Sequence, residues 1–284
     1  MRRHYTVAAR QYKLSLGKTT RIMGIVNITP DSFSHDGCWD RNQTRTAAKA
    51  FRYAKKLLKE GADLLDIGGE SSRPGSKAIS VREEIKRIGP TLEKLTSLSV
   101  PISVDTYKPL VAQYALDAGA SIINNIKGLS ADKKILRMIR DYNAAVIVMH
   151  MRGNPKTMQK RITFIDPVQE IIKDLSESIE KCLEIGIKSD RIIVDPGIGF
   201  GKTTEQNLEI IRRLSEFHKL KYPVMMGTSR KSFIGAVIGR PVEERLMGTA
   251  STVCASILNG AHIVRIHDVG KLKDIVRMTD AILL

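Results

Sequence analysis

Short apolar runs recur along the chain, spaced so that one helix fits between each neighbouring pair. They are IMGIVNI, LLDIG, PISVD, SIINNI, AAVIVMH, RIIVD, YPVMMG and AHIVRIHD, eight in all, rich in Ile and Val. Their apolar residues are continuous rather than alternating with polar ones, the pattern of parallel strands buried on both faces. Amphipathic stretches lie between them. Thr44 to Glu60 sets Ala47, Ala50, Phe51, Ala54, Leu57 and Leu58 on one stripe. Thr203 to Phe217, Pro241 to Leu258 and the closing GKLKDIVRMTDAILL have the same character. Eight such units in 284 residues predict an α/β fold of the (β/α)8 TIM-barrel class, whose usual size is roughly 250 residues. A doubly wound sheet competes, but it seldom needs eight units without a break in composition, and none stands out. One domain over 1–284 is expected, with residues 1–20 an extension in which HYTVAARQYKLSL forms a β-hairpin.

Composition adds the setting. A hydrophobic share of 42% supports a buried core, and no apolar run is long enough for a membrane span. The basic start MRRHYTVAARQYKLSLGKTT has no secretory core, although the lack of any acid before Asp31 leaves an organellar presequence open. Cys38, Cys182 and Cys254 form no CxxC pair, so neither a disulfide framework nor a zinc site is indicated, and a reducing cytoplasm is the expected location. The formal net charge of +16 raises a nucleic-acid hypothesis. Its bases are scattered at helical spacing (RYAKKLLKE, REEIKR), as on solvated helix faces, and no RNA-binding signature accompanies them. Attraction of an anionic substrate is the further consequence.

A barrel of this kind carries its site at the C-terminal ends of its strands. Those ends offer Asn27, Asp66, Asp105, Asn124, His150, Asp195, Lys231, Arg265 and His267. For single positions a bland alternative stands: Asp105 could cap the helix beginning near Pro109, and His150 could be packed rather than ligand-facing. The stretch DPGIGFGK, Asp195 to Lys202, places glycines at alternate positions between a strand and a helix. It lacks the four-residue spacer of a phosphate loop. Its glycines are expected to make room for a flat ring.

The stretches GIVNITPDSFS, DIGGESSRPGS, SVDTYKP, IIN, MHMRGNPKTMQ, DPGIGFGK, GTSRKSFIG and RIHDV resemble dihydropteroate synthase, in order, from about residue 20 to the C-terminus. The resemblance implies a (β/α)8 barrel that joins 6-hydroxymethyl-7,8-dihydropterin pyrophosphate to p-aminobenzoate with Mg²⁺, giving 7,8-dihydropteroate and pyrophosphate. By motif match it implies that Asp105, Asn124, Asp195 and Lys231 hold the pterin and that Asn27 binds the metal. Arg73, Arg265 and His267 would hold the pyrophosphate. Phe33, Ser72, Arg73, Pro74, Phe200, Lys231 and Ser232 would form the p-aminobenzoate pocket. By the same resemblance Lys231, Asp105, Asp195, Arg265 and His267 would form the catalytic set. Sulfonamide binding, a homodimer built on the late helices, and a cytoplasmic enzyme belong to the same implication, with no specific nucleic-acid or membrane partner.

These residue types suit the chemistry. A carboxylate accepts adjacent N–H donors of an amino-pyrimidinone edge, an amide matches a mixed edge, and a lysine donates to a ring carbonyl. An arylamine is neutral at pH 7 and needs no strong base, so the task is loss of pyrophosphate, which concentrated positive charge assists. The sequence departs from the family at SFSHDGCWD, with His35 and Cys38 altering the first loop, and Trp39 there is a candidate cover. Ser72, Asn125 and Ile198 are further departures. A methyltetrahydrofolate–corrinoid methyltransferase and a non-catalytic RNA-binding barrel are the alternatives.

Overall fold

The computed structural model describes residues 2–29, 42–71, 76–125, 132–153 and 163–283. An antiparallel hairpin, β1 (Tyr5–Ala9) and β2 (Tyr12–Leu16), precedes the parallel strands β3 (Arg21–Asn27), β4 (Leu64–Gly68), β5 (Ile102–Asp105), β6 (Ile122–Asn125), β7 (Ala145–Met149), β8 (Ile192–Asp195), β9 (Met225–Met226) and β10 (Ile263–Ile266). The eight parallel strands lie in the order β8-β7-β6-β5-β4-β3-β10-β9. A parallel bridge between Val194 and Val224, with the Val194 N–H donating to the Pro223 carbonyl at 3.0 Å, closes the ends into a barrel. The apolar runs are continuous because both strand faces are covered: β4 and β7 are buried at every position.

Two apolar layers result. Outward-facing Val26, Leu65, Ile67, Val104, Ile123, Val146 and Val194 pack against the helices. Inward-facing Met23, Leu64, Ile122, Ile147, Ile193, Met225 and Ile263 fill the barrel floor, which Val7, Ala9, Leu14 and Leu16 of the hairpin cover. The hairpin therefore plugs one end and leaves the other end for the site.

The helices are α1 (Gln43–Glu60), α2 (Val81–Leu95), α3 (Pro109–Asp117), α4 (Lys133–Asp141), α5 (Pro167–Glu184), α6 (Thr204–Arg212), α7 (Ser232–Ile238), α8 (Leu246–Leu258) and α9 (Val269–Leu283). Local chemistry sets their ends. Asn42 accepts from the Thr44 and Arg45 N–H groups to start α1, which Gly61 ends at φ 110°. A reciprocal Thr203–Gln206 capping box starts α6.

Two helix expectations need correction. The stretch Thr203 to Phe217 is not one α-helix: α6 stops at Arg212, and a 3-10 segment follows over Leu214–Leu220. Its three-residue period brings Leu214 and Phe217 to the same buried side. The stretch Pro241 to Leu258 is also split. Pro241 is extended, a short 3-10 turn covers Val242–Glu244, and α8 starts only at Leu246. The separate helix α7 lies before it and ends at left-handed Gly239.

Candidate active site

A cavity of about 590 Å³ opens at the C-terminal strand ends. Its wall brings together Asn27, Asp105, Asn124, Asp195, Phe200, Lys231, Ser232, Arg265 and His267. The ladder continues past the strand ends and fixes these positions: Ile28 donates to the Gly68 carbonyl, Thr106 to Asn124 and His150 to Asp195. The expected residues Phe33, Ser72, Arg73 and Pro74 lie outside the described residues, as do His35, Cys38 and Trp39.

Acids and one arginine form the floor. Asp66, with no solvent exposure, accepts from Arg265 Nε at 2.7 Å and from Asn124 Nδ2 at 3.3 Å through the same oxygen. Arg265 Nη2 also reaches Asp105 Oδ2 at 3.4 Å. Asp105 does not cap α3, whose N-cap is Lys108. Burial, with Asp66 nearby, lifts the Asp105 carboxyl to about 7 against the pull of Arg265. Asp66 Oδ1 and Asn124 Oδ1 are buried without a hydrogen-bond partner among the described residues. Asn124 lines the cavity, so its free oxygen is an acceptor available to a ligand.

The glycine loop forms one side. Asp195 Oδ1 accepts the Gly197 N–H at 2.7 Å, and burial raises its pKa against the influence of Gly197 and Lys231. The glycines make room for the protein itself rather than for a ring alone. At Gly197, φ 71°, a Cβ would sit 1.9 Å from the His150 carbonyl oxygen; at Gly199, φ 79°, it would meet Lys231 Cδ at 2.8 Å. The Lys231 ammonium donates to the Ile198 carbonyl at 2.5 Å and lies 3.9 Å from the centre of the Phe200 ring. Burial lowers its pKa to about 7, opposed by Asp195.

The opposite side carries His267 and Asn27. His267 Nδ1 lies 3.0 Å from Ser229 Oγ, and its Nε2 lies 3.5 Å from Asn27 Nδ2. Between the β4 and β5 ends, Glu70 accepts from Tyr107 at 2.7 Å and from Lys108 at 2.5 Å, and Lys108 also donates to buried Glu84. Burial pushes Glu70 up, but the hydrogen bonds from Lys108, the Ile79 N–H and Tyr107, with the Lys108 charge, together prevail and leave it below the usual carboxylate range.

His150 takes the packed alternative. It is buried between Asp174 and Lys202 and outside the cavity wall, and burial lowers its pKa to about 4. The sequence reading names Asp66 at a strand end but assigns it no task. Its signal was an acid in the middle of an apolar run, LLDIG. Ser229, which meets His267, and Glu70 carry no comparable signal.

With this geometry in place, similarity to known proteins becomes informative. The pterin binding enzyme family matches residues 23–267. The chain is 44% identical over 271 residues to dihydropteroate synthase of Bacillus subtilis, covering 95% of this chain and 91% of that one. The structure is similar to that of Yersinia pestis dihydropteroate synthase in a sulfonamide drug complex, with TM-score 0.91, 35% identity, and coverage of 98% and 99%. It is also similar to Burkholderia cenocepacia dihydropteroate synthase complexed with 7,8-dihydropteroate, with TM-score 0.87, 35% identity, and coverage of 98% and 96%.

Proposed function

The chain belongs to the dihydropteroate synthase family, and from that membership we propose how its barrel mouth does the chemistry. The activity is a transfer: a dihydropterin methyl group leaves pyrophosphate and is joined to the amine of p-aminobenzoate. The observation that carries the residue assignments is the meeting of Asp105, Asn124, Asp195, Lys231 and Arg265 around one cavity. We take residues 1–284 as one pterin-binding domain.

Asp195 accepts the N–H donors of the amino-pyrimidinone edge, its carboxylate held in rotation by the Gly197 N–H. Asn124 Oδ1 accepts a further ring N–H, which supplies the partner that this buried oxygen otherwise lacks. Lys231 donates to the ring carbonyl. Phe200, Lys231 and Ser232, with Phe33 and Ser72 to Pro74, form the arylamine pocket; sulfonamides would occupy the same place. Arg265 and His267 face the pyrophosphate, with Arg73.

In an SN1-like step the exocyclic C–O bond breaks and its electron pair leaves with pyrophosphate. The pterin ring delocalises the positive charge left on carbon, and a carboxylate at Asp105 stabilises it electrostatically. The arylamine lone pair then forms the C–N bond, and the surplus amine proton is released to solvent. Arg265, held by Asp66, keeps a cation beside the departing group without having to move.

Asn27 fits as a ligand for Mg²⁺ arriving with the pyrophosphate. Its Nδ2 faces His267, and its Oδ1 lies 3.9 Å from the Cβ position that Gly68 leaves empty. A hard, neutral oxygen suits an ion that keeps most of its shell on phosphates and water. When bound, the ion neutralises charge on the departing oxygens.

We further propose a cytoplasmic homodimer. Val237, Met247, Leu258, Met278 and Ile282 expose apolar surface on α7, α8 and α9. The direct test of function is pyrophosphate release from the pterin substrate with p-aminobenzoate and Mg²⁺. Turnover dependent on both substrates is expected; its absence would reject the assignment.

A further inference from the structure

We propose that Lys202 is a positioning residue: a buried ammonium beneath the glycine loop that fixes the arylamine subsite and supports the charge of Asp195. This inference rests on the site assignment above and assigns a task to a residue outside the cavity wall.

Lys202 is 3% exposed. Its ammonium donates to the Gly197 carbonyl at 2.8 Å, the Phe200 carbonyl at 3.0 Å and His150 Nδ1 at 3.0 Å. The His150 carbonyl lies farther off at 3.5 Å, so the three N–H donors of the ammonium are fully engaged by the three shorter contacts. Two of them are carbonyls of the loop whose left-handed glycines turn its backbone between Asp195 and α6. Gly199, between those carbonyls, is held separately: its N–H donates to Asn207 Oδ1 at 2.7 Å.

The third acceptor continues outward. Because Lys202 donates to Nδ1, the neutral imidazole of His150 carries its proton on Nε2 and donates it to Asp174 at 3.1 Å. Arg152 holds the same Asp174 oxygen at 3.0 Å and also holds Glu170. A chain of contacts therefore runs from α5 through an imidazole to the underside of the loop, whose upper side carries Phe200 and the Ile198 carbonyl that receives Lys231. Releasing the ammonium would free the stacking surface of Phe200 more than Asp195, which the β8 ladder also holds.

The second task is electrostatic. The charged groups facing Asp195 are Lys231 from the start of α7, Lys202 from the loop and Arg265 from β10. Burial lowers the Lys202 pKa to about 7; of the charged groups facing it, Asp195 and Asp174 hold the proton on while Lys231 and Arg152 oppose it, so its charge is fully present on the acid limb below that pH. Removing the Lys202 charge leaves Asp195 with less compensation for its burial, so its protonation moves to higher pH.

The test compares wild type with Lys202→Met, which keeps the aliphatic stem, and with Asp174→Asn on the more accessible end of the chain. KM for both substrates, kcat, melting temperature and the pH dependence of binding of a non-reactive pterin are measured. In Lys202→Met, KM for p-aminobenzoate is expected to rise about tenfold or more through loss of a charge-assisted hydrogen bond. KM for the pterin should rise less, and the acid limb of pterin binding should move to higher pH. Asp174→Asn should raise KM for p-aminobenzoate by a smaller factor at unchanged kcat. A folded Lys202→Met enzyme with unchanged KM values and an unmoved acid limb would overturn the proposal. If that variant does not fold, unchanged KM for p-aminobenzoate in Asp174→Asn overturns it. Failure of the wild type to turn over would instead count against the site assignment, and the pterin-binding limb would still judge Lys202.

Discussion

Arg265 reaches over β3 to Asp66 on β4, its Nη2 2.6 Å from a carboxylate that has no solvent exposure. The guanidinium at the mouth of the barrel is thereby anchored from below, while Asp105 meets it from the side. Breaking a buried pair by neutralising one member leaves a charge without full compensation. Asp66→Asn is expected to lower unfolding free energy by about 3 kcal/mol, and to reduce turnover because Arg265 loses its fixed position. Urea unfolding and steady-state assays check both effects. An unchanged unfolding midpoint would mean that Asp105 alone suffices to hold the arginine.

Asp195→Asn keeps the size of the side chain but replaces an acceptor oxygen with an amide donor. Pterin binding is expected to weaken by about 1–3 kcal/mol, the range for losing a charge-assisted hydrogen bond. Calorimetric titration with a pterin analogue measures this. Wild-type affinity in the variant would remove Asp195 from the pterin edge.

The barrel seam carries an acid-sensitive group. The Val224 N–H donates to His262 Nδ1 at 3.1 Å, and His262 Nε2 pairs with the Arg3 carbonyl of the N-terminal segment. Burial lowers the imidazole pKa from 6.5 to about 4 against the opposing hydrogen bond to Arg3, and His218, Arg2 and His4 nearby add to the lowering. The folded state therefore favours neutral His262. Its contribution is complete above pH 6.5 and is lost as pH falls toward and below about 4. The loss is on the order of 3 kcal/mol. His262→Gln should flatten the acid limb of stability between those pH values; an identical limb would assign the acid sensitivity elsewhere.

Arg230, directly before Lys231, adopts φ 58° and pairs with Asp268 at 2.6 Å. Left-handed backbone costs a non-glycine residue roughly 1–2 kcal/mol. Both Arg230→Ala and Arg230→Gly lose the ion pair, but only glycine relieves the backbone. The glycine variant is expected to be more stable than the alanine variant by about 1 kcal/mol. Equal melting temperatures would show that the local backbone relaxes in the alanine variant.

The sequence made the strands legible because both of their faces are buried, and so it made the ring of strand-end residues legible too. It did not reveal how the ring closes. Only Met225 and Met226 of YPVMMG form a strand, and closure depends on the Val194–Val224 bridge, a contact between distant segments. Pairings that cross the barrel were hidden for the same reason: nothing local to Asp66 marks Arg265 as its partner. Periodicity also carried the Thr203 and Pro241 helices too far. An apolar stripe continues through a 3-10 segment, while the extended conformation of Pro241 separates two helices. Lys202 looked like part of a ligand loop because side-chain direction beyond a left-handed glycine is not written in residue order.

The central claim is that one flat, donor-rich ring lies among Asp195, Asn124 and Lys231. Diffraction from crystals soaked with 6-hydroxymethylpterin tests it most directly. The expected result is ring density in the cavity, with its amino-pyrimidinone edge within hydrogen-bond distance of Asp195 and of Asn124 Oδ1. A ring bound elsewhere, or one turned so that this edge faces solvent, would contradict the claim.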